Sequence, residues 1–181
     1  MKQKIQENIE IPEGIECSYI DGILRCKNGD IALSKDISLR EVSIEIKNNE
    51  IVFSAEKANK TTKNLIASNK NHIRNMFKGL DEKFSYKLEA CNVHFPMTLK
   101  IEKDILSINN FLGEKISRHA KILPEVEVKI NGSSIIVSSH SKELAGQTAA
   151  NIETATKVRG RDRRIFQDGI FITEKPGDKK K

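Results

Sequence analysis

The sequence predicts an α+β protein built from two tandem duplicated domains, each a small antiparallel β-sheet packed with one α-helix. Three observations carry that prediction. A stretch beginning at Val42 reappears 84 residues later at Val126, with Val42, Ile44 and Ile46 falling on Val126, Val128 and Ile130. Within each copy apolar and polar residues alternate, the period of a half-buried strand. After each copy the period changes to three and four, the spacing of an amphipathic helix.

The repeated hairpin comes first in the argument. Val42, Ile44 and Ile46 alternate with Ser43, Glu45 and Lys47 before the turn-forming run "KNNE", and "IVFS" then resumes the strand. In the second copy Asn131-Gly132 takes the place of the turn, a pair that tolerates positive φ. Ile51, Val52 and Phe53 match Ile135, Ile136 and Val137. Gly29 and Gly113 share the same spacing, each in a turn-like setting.

The first helix follows from Ala58, Leu65, Ile66, Ile73, Met76, Phe77 and Leu80, with Gly79 as its C-terminal stop. Its lysines read as an ordinary solvated face. The second helix has a stripe of smaller residues, Leu144, Ala145, Thr148, Ala149, Ile152 and Ala155, that lets it lie close to its sheet. "IECSYIDGILRC" and "YKLEACNVHFPMTLKIEKDILSI" read as strands, with Pro96 expected at an edge or bulge. The domains are then 1–81 and 82–175, joined near Asp81 to Lys83, and 176–181 reads as a disordered basic tail.

Composition excludes several classes. No apolar run approaches the length of a membrane span, and the N-terminal residues lack the apolar middle of a signal peptide. Cys17, Cys26 and Cys91 form no CxxC and no zinc quartet with His72, His94, His119 and His140. Reduced thiols in a cytoplasmic protein, with no metal and no cofactor, are the expectation. No phosphate-loop, HExxH or GxSxG motif is present. Nothing points to an enzyme or to a small-molecule substrate.

The net charge of +6 is uneven. Residues 1–81 carry 13 Lys/Arg against 12 Asp/Glu, whereas residues 157–181 carry 9 against 4. The excess centres on "KVRGRDRRIFQDGIFI", where Lys157, Arg159, Arg161, Arg163 and Arg164 crowd into eight positions. Arginine is the informative choice here. Its planar, always-charged fork suits bidentate phosphate contact, whereas lysine would serve solubility. If extended, the loop places Arg159, Arg161 and Arg163 on one side, and Asp162 and Asp168 are available to pair with some of them. Without interleaved aromatics, folded RNA read by backbone and shape fits better than a single-strand stacking platform. A second cationic stretch, residues 110–121, holds Lys115, Arg118 and Lys121 after a glycine turn. It reads equally as an RNA contact or as a lysine-guarded strand edge.

Several segments together resemble one family. "HIRNMFKGL", "HFPMTLKIEKDILSINNFLGEK" and "GQTAANIETATKVRGRDRRIFQDGIFITEK", with Ile11 to Gly14 near the start, are similar in order to the large-subunit ribosomal protein six family in its archaeal and eukaryotic form. Lys27-Asn28-Gly29-Asp30 departs from that family's Lys-Gly-Pro-x-Gly turn. The resemblance implies a non-catalytic constituent of the cytoplasmic ribosome. It would bind large-subunit rRNA near the sarcin–ricin loop and the stalk base, beside neighbouring ribosomal proteins. Its implied contacts are Gly113 to Lys115 and the segment from Lys157 to Gln167, and Arg118 completes the candidate set. The alternative is an extra-ribosomal RNA-binding or protein-interaction module.

Overall fold

The structure, a computed structural model, describes residues 3–37, 39, 42–162 and 164–177. The chain divides into two compact units between Glu82 and Lys83.

In unit 1, strands β1 (Gln3–Glu10), β2 (Glu16–Ile20), β3 (Ile23–Asn28), β4 (Ile31–Asp36), β5 (Ser43–Lys47) and β6 (Glu50–Ala58) precede helix α1 (Lys60–Asp81). The strands form two antiparallel sheets, ordered β1-β6-β5 and β2-β3-β4. Helix α1 packs on both. Its buried face is Thr62, Ile66, Ile73, Phe77, Gly79 and Leu80. At about 1.5–3 kcal/mol for each large aliphatic or aromatic side chain, this face is the main force seating the helix. Asn59 caps it, accepting from the Thr62 amide at 2.8 Å.

Unit 2 repeats the plan element by element. Strands β7 (Phe84–Cys91), β8 (Thr98–Glu102), β9 (Ile105–Asn109), β10 (Arg118–Lys121), β11 (Glu127–Asn131) and β12 (Ser134–Ser139) precede helix α2 (Lys142–Ala155). One sheet is β10-β9-β8, and the other is β11-β12-β7 with a further edge strand, β13 (Gly169–Glu174), beside β7. Removing β13 leaves the strand order of unit 1. Strands β5 and β11 start 84 residues apart, the spacing of the sequence repeat. The α+β class and the antiparallel sheet-plus-helix plan of each copy hold, with the strands of each unit shared between two sheets.

Several local readings are corrected. Gly79 does not end α1; it is buried inside the helix, which runs to Asp81 and closes with the Glu82 amide donating to the Lys78 carbonyl. Ala58 belongs to β6, and Leu65 faces solvent. The second hairpin turns at Gly132 and Ser133, because Asn131 pairs with Ser134 as the last strand residue. Gly132 there takes the positive φ, +61°, while in unit 1 Asn48 and Asn49 take it at the equivalent turn. Pro96 lies in the β7–β8 loop, where its carbonyl accepts from Asn110. Strands β1 and β4 are additions to the sequence reading. Of the basic tail, residues 178–181 lie outside the described residues.

Candidate nucleic-acid interface

Three connections of unit 2 meet one another: residues 92–97 after β7, 110–117 after β9, and 156–168 after α2. Each touches the other two. Asn110 donates to the Pro96 carbonyl at 3.0 Å, and the Phe95 ring lies 3.5 Å from where a Cβ on Gly113 would sit. His94 and Asp168 join the first connection to the third. Arg118, opening β10, joins the second to the third.

The His94–Asp168 contact, with its acid buried and its imidazole partly exposed, is the floor of this region. The Asp168 side chain is 1% exposed, with Oδ2 2.6 Å from His94 Nδ1. Its Oδ1 accepts from the Val93 and His94 amides at 2.8 and 3.0 Å. Burial works to raise the Asp168 pKa, but the hydrogen bonds from the His94 backbone, the His94 ring and the Val93 amide outweigh it. The carboxyl is held below its usual range and stays ionised, as expected of an anion accepting several donors. On this floor stands a column of rings. His94 stacks on Phe166 with centroids 5.0 Å apart, and the Arg161 guanidinium lies 4.9 Å from the Phe166 centroid.

Arg118 is a brace. Its Nε and Nη2 donate to the two carboxylate oxygens of Glu114, and its Nη1 donates to the carbonyls of Ala155 and Lys157. The guanidinium also lies 4.3 Å from the Phe111 ring centroid. Four of its N–H groups are thus used inside the protein, two of them on carbonyls at the negative end of α2. The hydrogen bonds from Arg118 lead in holding the Glu114 carboxyl below its usual range; burial opposes them, and the charges of Arg118 and Arg161 add to the lowering.

The remaining predicted residues sit above this frame. Lys157, Arg159, Arg161, Arg164 and Gln167 are exposed, and Arg163 lies outside the described residues. Among the described residues no ion pair takes Lys115, Lys157, Arg159 or Arg164. The loop is not extended. Gly160 takes φ +67°, and the amides of Ile165 and Phe166 both donate to the Asp162 carbonyl, closing a helical turn. The predicted one-sided row of arginines is therefore broken: Arg159 lines a groove between β10 and α2, whereas Arg161 lies on Phe166. Among the described residues neither acid forms an ion pair with these arginines. A carboxylate oxygen of Asp162 accepts from the Arg164 amide, and both oxygens of Asp168 serve the 92–97 loop.

The sequence reading misses the aromatic and apolar content of this surface. Phe95 and Phe166 stand among the cations, with Val93, Ile116 and Ile165 exposed beside them, Ile116 at 84%. The signal is absent from any one stretch, because His94 and Asp168 lie 74 residues apart.

Known proteins resemble this chain over nearly its whole length. The family model described as ribosomal protein L6 matches residues 95–169, a span covering much of all three connections. Over 173 residues the chain is 43% identical to large ribosomal subunit protein uL6 of Methanococcus vannielii, covering 96% of this chain and 95% of that one. It is 41% identical to the uL6 protein of Methanosarcina mazei over 97% of this chain and 99% of that one. Against the uL6 protein of Methanobrevibacter smithii it is 39% identical, over 94% and 96%. With this identity over nearly the whole length of each partner, the chain belongs to the ribosomal protein L6 family.

Proposed function

We propose that this chain is a non-enzymatic constituent of the large ribosomal subunit, and that unit 2 holds large-subunit rRNA against its three-loop surface. The observation that carries the reading is a contrast within that surface. Arg118 and Glu114 satisfy one another, while Lys115, Lys157, Arg159 and Arg164 point cations at solvent without an ion-pair partner among the described residues. Unneutralised guanidinium groups on a rigid frame suit a polyanion whose phosphates replace the missing partners. The frame limits what ordering the loop costs on binding.

The contact set is Lys115, Lys157, Arg159, Arg161, Arg163, Arg164 and Gln167, with Gly113 shaping the turn that presents Lys115. Arg118 acts through Glu114 and Lys157 and is a positioning residue. The family resemblance supports a place in the cytoplasmic ribosome near the sarcin–ricin loop and the stalk base, beside neighbouring ribosomal proteins. Exposed Phe95 adds a ring on which an unpaired base can stack.

Replacing Arg159, Arg161, Arg163 and Arg164 by Ala tests the reading. If about five phosphates are neutralised, the logarithmic salt dependence of rRNA binding has a slope of roughly −4. Each lost phosphate contact flattens it by about one. The expected result is an unchanged circular dichroism spectrum with a weaker, flatter salt dependence. Unchanged affinity for large-subunit rRNA, or absence of the wild-type protein from the large-subunit fraction of a sucrose gradient, rejects it.

A further inference from the structure

The two cysteines of unit 1 lie nine residues apart in sequence but directly opposite in the fold. Cys17 on β2 and Cys26 on β3 are register partners across the antiparallel pair. Opposed residues point to the same face of a sheet, with Cα atoms about 4.5 or 5.5 Å apart according to the ladder position. Both separations fall inside the range of about 4.4–6.8 Å spanned by a disulfide. The two thiols are in hydrogen-bond contact, with Cys17 Sγ 2.9 Å from Cys26 Sγ. Their surroundings differ. Strand β2 is the edge of its sheet, and Cys17 is half-exposed there. Cys26 is fully buried in the core beside Leu24 and Leu33.

We propose that Cys17 and Cys26 form a redox-active pair, a covalent modification site that closes across the β2–β3 hairpin on meeting a low-molecular-weight disulfide. Cys17 is the attacking thiol, since it alone reaches solvent. Its hydrogen bond with Cys26 lowers its pKa, and partial burial works against this. Its thiolate displaces one thiolate from the oxidant, which takes up a proton, and a mixed disulfide remains on Cys17. Cys26 then loses its proton to solvent and attacks the Cys17 sulfur. The protein disulfide forms and the second small thiol leaves. Two cysteine thiols are oxidised, and the disulfide reagent is reduced to two thiols.

The order of events follows from the same geometry. In the reduced pair, the hydrogen bond to Cys17, burial and the Cys17 charge all push the Cys26 thiol up. Converting Cys17 to a neutral mixed disulfide removes the first and third of these influences. Cys26 is thus inert toward outside reagents and becomes a nucleophile only after Cys17 has reacted. No backbone rearrangement is needed, because the partners are already in register.

The test uses the full chain with Cys91→Ser, which removes the exposed third thiol. The folded protein is incubated with oxidised glutathione, and its intact mass and non-reduced peptide map are recorded. The expected product is lighter by two hydrogens, with the peptide of residue 17 linked to that of residue 26. Adding Cys26→Ala should stop the reaction at a lasting glutathione adduct on Cys17, which supports Cys17 as the attacking thiol. Two outcomes overturn the proposal. One is a persistent adduct on Cys17 with Cys26 present. The other is no reaction in the folded chain under conditions where the urea-unfolded chain reacts.

Discussion

Arg118 grips Glu114, four residues before it, through two N–H···O bonds of 2.8 and 2.7 Å, although the pair spans a turn and the start of a strand rather than a helix. The same guanidinium reaches the carbonyls of Ala155 and Lys157 at 3.0 and 3.1 Å. One side chain thus fixes the distance between the two cationic loops. Arg118→Lys keeps the charge but cannot bridge a carboxylate and two carbonyls at once. The expected cost is about 1–3 kcal/mol, because the carbonyls and Glu114 lose charged donors. Urea unfolding measures it. A change below a few tenths of a kcal/mol would show that the brace contributes nothing.

Acid should loosen unit 2 before it unfolds unit 1. Asp168 and Glu114 both have folded pKa values depressed below their ordinary 3.8 and 4.5. A depressed carboxylate contributes stability that is fully present above its unfolded pKa and is lost as pH falls through the folded value. The contribution is therefore intact at neutral pH and declines below about pH 4.5. The double variant Asp168→Asn, Glu114→Gln should be less stable at pH 7 and show a shallower acid decline between pH 5 and 3. Parallel curves for the variant and the parent would remove both groups from the account.

The fold was legible where the chain repeats itself in short range. The β5–β6 and β11–β12 hairpins declare themselves through strict alternation around two-residue turns, and the Asn and Gly residues of those turns take positive φ. Strand β1 was not legible. Its Ile5 and Ile9 are spaced like a helix, and the strand is made by pairing with β6 forty or more residues on. Charge told the same partial story at the site. A cluster of arginines is a property of composition, visible without coordinates. What each arginine does is a property of its neighbours, and several of those come from the other loops. The brace from Arg118 to Ala155, the buried acid at Asp168 and the stacking of His94 on the Phe166 ring depend on contacts across the unit.

Gly113 should tolerate substitution less well than Gly29, although the two are equivalent in the repeat. Both take positive φ, +76° and +58°. A side chain there costs about 1–2 kcal/mol from backbone strain alone. At Gly29 an added Cβ meets open space, so strain is the whole cost. At Gly113 it meets the Phe95 ring at 3.5 Å, ordinary contact that nevertheless restricts Phe95, and the turn already holds buried Leu112 at φ +51°. Gly29→Ala should cost about 1 kcal/mol and leave rRNA affinity unchanged. Gly113→Ala should cost at least as much and also weaken rRNA binding, because Lys115 is presented by this turn. Equal effects on affinity would separate the turn from the interface.

Removing the ring beneath Arg161 tests the frame without altering the charge of the surface. Phe166 lies between His94 and Arg161, with the guanidinium 4.9 Å from its centroid. Phe166→Leu keeps an apolar side chain on His94 but removes the π face, which at a partly exposed site is worth about 0.5–1 kcal/mol to the cation. Arg161 then samples more rotamers, and fixing it on RNA costs that much again. The affinity for large-subunit rRNA should fall about two- to fivefold, the equivalent of that energy. The salt slope should stay the same, because the phosphate contact is still made once RNA is bound. Arg161→Ala should instead flatten the slope by about one. If Phe166→Leu leaves the affinity untouched while Arg161→Ala lowers it, the guanidinium reaches phosphate without needing the ring, and the column orders the loop rather than the contact.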